Sequence, residues 1–122
     1  MSKSNYRNLE VWQTARFLAR DIYRATRIFP RDERFGIVPQ MRRAAVSILC
    51  NIAEGAGRWS ASDQKNFYVI ARGSALELES QLVIAEDVEY MSPEAAAELT
   101  NRTCEVARML NGLIRYLNSG RK

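Results

Sequence analysis

Proline stands at three positions only, 30, 39 and 93, and between them run long stretches whose apolar residues return at helical spacing. Proline inside a helix removes a hydrogen bond and clashes with the preceding turn, so these positions limit where long helices can begin and end. The first stretch, residues 9–29, repeats Val11, Trp12, Ala15, Ala19, Ile22, Tyr23 and Thr26, and Pro30 stops it. The second is expected over 39–54, because the missing N–H of Pro39 does no harm in a first turn. Its core face is Met41, Ala45, Ile48 and Ile52, and Gly55 is expected to cap it in the left-handed conformation. A third helix is expected over 61–90, with the Ser60 hydroxyl accepting an orphan N–H at its start. At about 1.5 Å per residue it would be roughly 45 Å long. Ser92-Pro93-Glu94 sets out N-cap, first residue and early acid of a fourth helix, 93–117. Its seam is Leu99, Thr103, Val106, Leu110, Leu113 and Leu117. Alternation of period two is absent. Short connections imply antiparallel neighbours, so the expected fold is all-α: one domain over 1–122, an antiparallel up-down-up-down four-helix bundle.

The residue types present restrict the chemistry. Histidine is absent, which removes the commonest general base and transition-metal ligand. It also removes the Glu-x-x-His pairs of di-iron bundles. Glu77, Glu79, Glu86, Asp87 and Glu89 scatter around the third helix and do not converge on a cation. "GAGR", residues 55–58, lacks the lysine and hydroxyl of a phosphate-binding loop. Neither an enzyme nor a metal or cofactor is expected. Hydrophobic residues at 47% and charged residues at 26% suit one packed core. No apolar run reaches the ~18–20 residues of a membrane span, and the polar start lacks a signal-peptide core, so a cytoplasmic protein is expected. Cys50 and Cys104 lie in apolar segments without CxxC spacing and read as buried free thiols.

Charge is unevenly distributed. Residues 1–60 hold 11 Lys/Arg against 5 Asp/Glu, a net of +6, while 61–122 hold 7 against 9, a net of −2. Arg16, Arg20, Arg24, Arg27 and Arg31 step by 4, 4, 3 and 4, which gathers them within about 80° of arc if the first helix continues that far. Asp21 and Glu10 offer little relief within that helix. Three readings stand side by side: a solvated face, phosphate contacts, or pairing with the acidic third helix of the same or a neighbouring subunit. Arg58-Trp59 precedes the third helix, where the ring either anchors its loop on the bundle or stacks a base. Gly73-Ser74-Ala75 interrupts the third helix with small residues that suit close approach of another helix.

The second helix carries an unusual back. Opposite its core arc lie Arg43, Ser47, Cys50 and Glu54, with Asn51 on the flank. Small polar groups let backbones come close, so these five are expected to form a subunit contact. Asn51 and Glu54 are expected to be hydrogen-bonded near the Gly55 turn.

"LEVWQTA" (9–15), "FPRDERFG" (29–36), "QMRRAAVSILCNIAEGAGR" (40–58) and "ARGSALELESQL" (71–82) occur in order. Together they resemble the four-helix bundle proteins named after intervening sequences in bacterial large-subunit rRNA genes, from Leu9 to about Leu117. The resemblance implies an antiparallel bundle assembled into a ring-shaped homopentamer. It also brings in a relative, the basic accessory protein of diversity-generating retroelements, which partners a reverse transcriptase and binds nucleic acid. Three departures stand out: Val38-Pro39 where a Thr-Ser pair is common, Leu49-Cys50 where a mid-helix proline is common, and Glu89 where glycine is common. They leave the start of the second helix open, remove a kink, and imply a different end to the third. The resulting expectation is a non-enzymatic oligomer that binds RNA or DNA through Arg16, Arg20, Arg24, Arg27, Arg42, Arg43 and Arg58. The alternative is a protein-interaction scaffold, with a reverse transcriptase or another protein as partner.

Overall fold

The computed structural model describes residues 5–120. Four helices dominate: α1 Glu10–Thr26, α2 Ile37–Ala56, α3 Ala61–Asp87 and α4 Pro93–Asn118, with single 3-10 turns at Tyr6–Asn8 and Arg31–Phe35. No strand occurs among the described residues. α2 packs on α1 and α3, and α4 packs on the same two, so the helices form a four-helix bundle. Leu18, Ile22, Met41, Ile48, Ile52, Leu78, Leu82, Val106 and Leu110 are fully buried within it. Each such side chain stabilises the fold by roughly 1.5–3 kcal/mol on leaving water. Thr103 sits among them with its hydroxyl donating to the Leu99 carbonyl at 2.7 Å. Polar rungs flank the α3–α4 seam: Lys65 bonds Asn118, Arg72 bonds Asn111, and the Cys104 thiol reaches Glu79. As α3 advances by sevens, its partners on α4 retreat by sevens.

Helix boundaries depart from expectation where distant residues intervene. α1 stops at Thr26, not Phe29. The Thr26 hydroxyl donates to Ile22 O at 2.8 Å, while Arg42 donates to Thr26 Oγ1 at 2.9 Å and to Tyr23 O at 3.2 Å. An arginine from α2 thereby satisfies the last turn of α1. Phe29 then turns inward onto Tyr90, ring centres 5.3 Å apart. α2 starts at Ile37, two residues before Pro39, because Glu33 Oε1 accepts the Ile37 N–H at 3.1 Å. Pro39 is still in the first turn, where no N–H is missed. α2 runs unbroken through Leu49-Cys50.

Gly55 is not a left-handed cap. It lies buried inside the last turn of α2, and the helix closes through Gly57, whose φ is −88°. The reason for glycine is proximity: a Cβ at 55 would lie 2.8 Å from Tyr68 Cε1. At the start of α3 the Ser60 hydroxyl accepts the Asp63 N–H at 3.0 Å, and at α4 the Ser92 hydroxyl accepts that of Ala95 at 3.1 Å. α3 ends at Asp87 instead of Tyr90. Glu89 adopts φ 67°, and the N–H groups of Tyr90 and Glu89 return to Ala85 O and Glu86 O, both at 2.9 Å. That is the closure a glycine would make, carried by a glutamate.

Candidate nucleic-acid interface

Arg16, Arg20 and Arg24 stand one turn apart on the exposed side of α1. Their mutual repulsion is relieved within the fold, contrary to expectation. Asp21 takes both Arg20 nitrogens at 3.0 and 3.3 Å, lies 3.5 Å from Arg24, and accepts Arg102 of α4 at 2.7 Å. The Arg20 hydrogen bonds hold the Asp21 carboxyl below the usual carboxylate range, with Arg102 adding to the effect against partial desolvation. Aromatic faces are interleaved with the arginines. Arg16 and Arg20 lie 5.3 and 4.8 Å from the ring centre of half-exposed Phe17, and Arg42 lies 4.6 Å from that of Tyr23.

Because α1 ends early, the stripe does not run on to Arg31. The chain turns instead, and Arg27 and Arg31 come to border a hollow of about 270 Å³ together with Arg34 and Arg42. Arg34 and Arg42 also line an adjoining groove of about 580 Å³, with Arg43, Tyr23 and Ser47. No carboxylate lines either depression. Glu33, in the same turn, accepts the Tyr90 hydroxyl at 2.7 Å with one oxygen and the Ile37 N–H with the other. Those two bonds lower its pKa and hold its charge away from the arginines. Phe35 is 84% exposed at the rim, with the Arg34 guanidinium 4.9 Å from its ring centre.

The seven arginines singled out from sequence therefore fall into three groups. Arg16, Arg20 and Arg24 form the α1 row. Arg27, Arg42 and Arg43 gather at the turn, where Arg42 is a strut between helices as well as a lining residue. Arg58 lies apart, about 22 Å of helix rise beyond Arg43, paired to Glu54 at 2.8 Å and over the Phe67 ring at 4.7 Å. Arg34 and Phe35 were missed. Their signal was the "FPRDERFG" turn itself, in which two arginines stand between a proline and an aromatic.

The back of α2 divides. The Ser47 and Ser74 hydroxyls lie 2.8 Å apart, and Asn51 Nδ2 donates to Ser47 O at 2.9 Å and Oγ at 3.1 Å. Those groups hold α2 to α3 of the same chain. Arg43, Cys50 and Glu54 remain exposed, so Cys50 is not the buried thiol expected. Trp59 is 83% exposed and does not bury its ring on the bundle. α1 meets α2 and α4 but not α3, so its arginines do not reach the acids of α3 within the chain. Among the described residues no cluster of His, Cys, Asp and Glu could hold a metal, and no helix is long and apolar enough to cross a membrane.

Residues 7–112 match the family model of the 23S rRNA-intervening sequence protein. The chain belongs to that family. A solved structure similar to this family member is a protein of unknown function from the S23 ribosomal protein family of Bacteroides thetaiotaomicron. It is 26% identical, with a TM-score of 0.78, the match covering 85% of this chain and 97% of that one. No curated protein matches the chain. The family match spans the α1 row, the arginine-lined turn and the α2–α3 junction alike.

Proposed function

We propose that this intervening-sequence family member is a cytoplasmic, non-enzymatic, self-assembling bundle that binds RNA or DNA through its basic side. The charge of residues 16–43 carries the binding. Eight arginines there face three acids, Asp21, Asp32 and Glu33, and two of those acids are already engaged by hydrogen bonds. Arginine forks match phosphate geometry and displace counterions on binding. Gel shifts with duplex and single-stranded RNA and DNA at rising salt test the binding. Affinity should fall steadily with salt, and an absence of any shift at low ionic strength would defeat the proposal.

The helices run antiparallel in up-down-up-down order, an arrangement that the sevenfold rungs between α3 and α4 support. Assembly rests on the outer side of α3 and its C-cap Val88, where Val69, Ile70, Leu76, Val83, Ile84 and Val88 are 38–56% exposed. A helix apolar on both its inner and outer faces is usually covered on both. A second copy of the chain covers it here, and repetition closes a ring of five. Light scattering should give about five times the 13.9 kDa chain mass. A monomer at micromolar concentration would remove this part of the reading.

A further inference from the structure

We propose that the groove between the C-terminal end of α1, the Arg31–Phe35 turn and the first half of α2 is a subsite for an unpaired nucleotide of single-stranded nucleic acid. Its phosphate is held by Arg34 and Arg43 and its base is stacked on Phe35. The inference rests on the proposed nucleic-acid binding and names where and in what form the strand is gripped. Three observations carry it.

First, the two adjoining depressions share Arg34, Val38 and Arg42, giving a continuous trough lined by arginines and by no carboxylate. Second, the trough is held open by fixed bonds. Arg42 is tied to the end of α1 through Thr26 and Tyr23, and Glu33 is tied to Tyr90 and to the start of α2. Those bonds fix Arg42 and the turn that carries Arg34 before any ligand arrives. Third, an aromatic ring 84% exposed is unfavourable in water, and Phe35 sits 4.9 Å from the guanidinium of Arg34, a residue that lines both depressions. A flat ring beside a cation suits a nucleobase with its phosphate, and it suits an unpaired base because only that base has a free face to stack. Arg16, Arg20 and Arg24 of the α1 row line neither depression and contact phosphates further along the strand.

The test compares a 12-nucleotide oligouridylate, a blunt-ended RNA duplex of 12 base pairs and a phosphoserine peptide, measured by fluorescence anisotropy on the full chain. The variants are Phe35→Ala, the double variant Arg34→Gln with Arg43→Gln, and Arg16→Gln with Arg20→Gln as the α1 control. All five altered side chains are exposed, and thermal melting by circular dichroism confirms that each variant folds. Phe35→Ala should weaken oligouridylate binding by about 5- to 100-fold and leave the duplex unchanged. The Arg34/Arg43 pair should lower the salt slope for oligouridylate by about 0.7 per arginine removed. If those variants bind oligouridylate like wild type while the α1 control loses affinity, the subsite is overturned and the wider binding proposal stands. If wild type binds neither nucleic acid at low salt, both fall. Preference for the phosphoserine peptide over oligouridylate at equal concentration would also overturn the subsite.

Discussion

At the scale of single residues, two positions hold the chain in geometry that another residue type would change measurably. A Cβ at Gly55 would press to 2.8 Å of Tyr68 Cε1 and 3.1 Å of Phe67 Cβ, at the point where α2 hands over to α3. Gly55→Ala should therefore destabilise the fold by about 1–3 kcal/mol, read as a shifted urea midpoint. Alanine's better helix propensity offsets less than 1 kcal/mol of that. Glu89 presents the reverse case. A side chain at φ 67° costs roughly 1–2 kcal/mol relative to glycine. Glu89→Gly should raise stability by about 1 kcal/mol with no change in the denaturant slope. The sequence resemblance marked Glu89 as standing in a glycine position, and from that a different helix end was expected. The backbone instead keeps the glycine conformation, because the paired returns to Ala85 and Glu86 outweigh the local strain. Gly55 was misread for a physical reason: a glycine near a helix end looks alike whether it supplies a left-handed turn or room for a neighbour.

At the scale of elements, what was legible depended on whether an element ends by local or distant means. α4 begins where Ser92-Pro93-Glu94 says it should, since cap, proline and acid act within one turn. α1 ends early where Arg42, sixteen residues beyond Thr26, bonds the Tyr23 carbonyl and the Thr26 hydroxyl, and no local pattern announces that. The seam of α4 was legible for most of its length. Leu99, Thr103, Val106 and Leu110 are buried, but the next buried residue is Ile114, not Leu113. A straight helix of 3.6 residues per turn drifts off a strict heptad, and the stripe moves over by one residue. On α1 the same kind of reading missed Leu18, fully buried, and placed Tyr23 inside, though its ring lies half-exposed under Arg42. α3 is the informative element. Gly73 lies on its outer side, where a Cβ would meet nothing within 4 Å of the same chain. Gly73→Leu should raise helix stability of the isolated chain by about 0.5–1 kcal/mol while weakening assembly, as measured by light scattering. Unchanged assembly would remove the outer side of α3 from the interface.

At the scale of the whole molecule, two buttresses join distant parts of the chain through carboxylates. Asp21 ties α1 to α4 through Arg102, and Glu33 ties the turn before α2 to Tyr90 after α3. Both carboxyls titrate below their ordinary values in the fold. Their stabilising contribution is therefore complete above the unfolded pKa, near 4, and is lost as pH falls through the folded value. The urea midpoint should begin to drop as pH falls below about 5 and go on dropping below the unfolded pKa. Asp21→Asn should lower the neutral midpoint and flatten that decline. A double variant with Glu33→Gln should flatten it further.

The rungs beside the α3–α4 seam have one more consequence, because one of them is a thiol. Cys104 is held against Glu79, and burial first, then the carboxylate, push its pKa up. Its thiolate is therefore scarcer at a given pH than that of a thiol without such neighbours. The rung is thus readable from outside: a small alkylating reagent should label Cys104 more slowly than an unpaired thiol, and Glu79→Gln should speed that labelling. Exposed Cys50 on the same chain provides the reference for an unobstructed thiol.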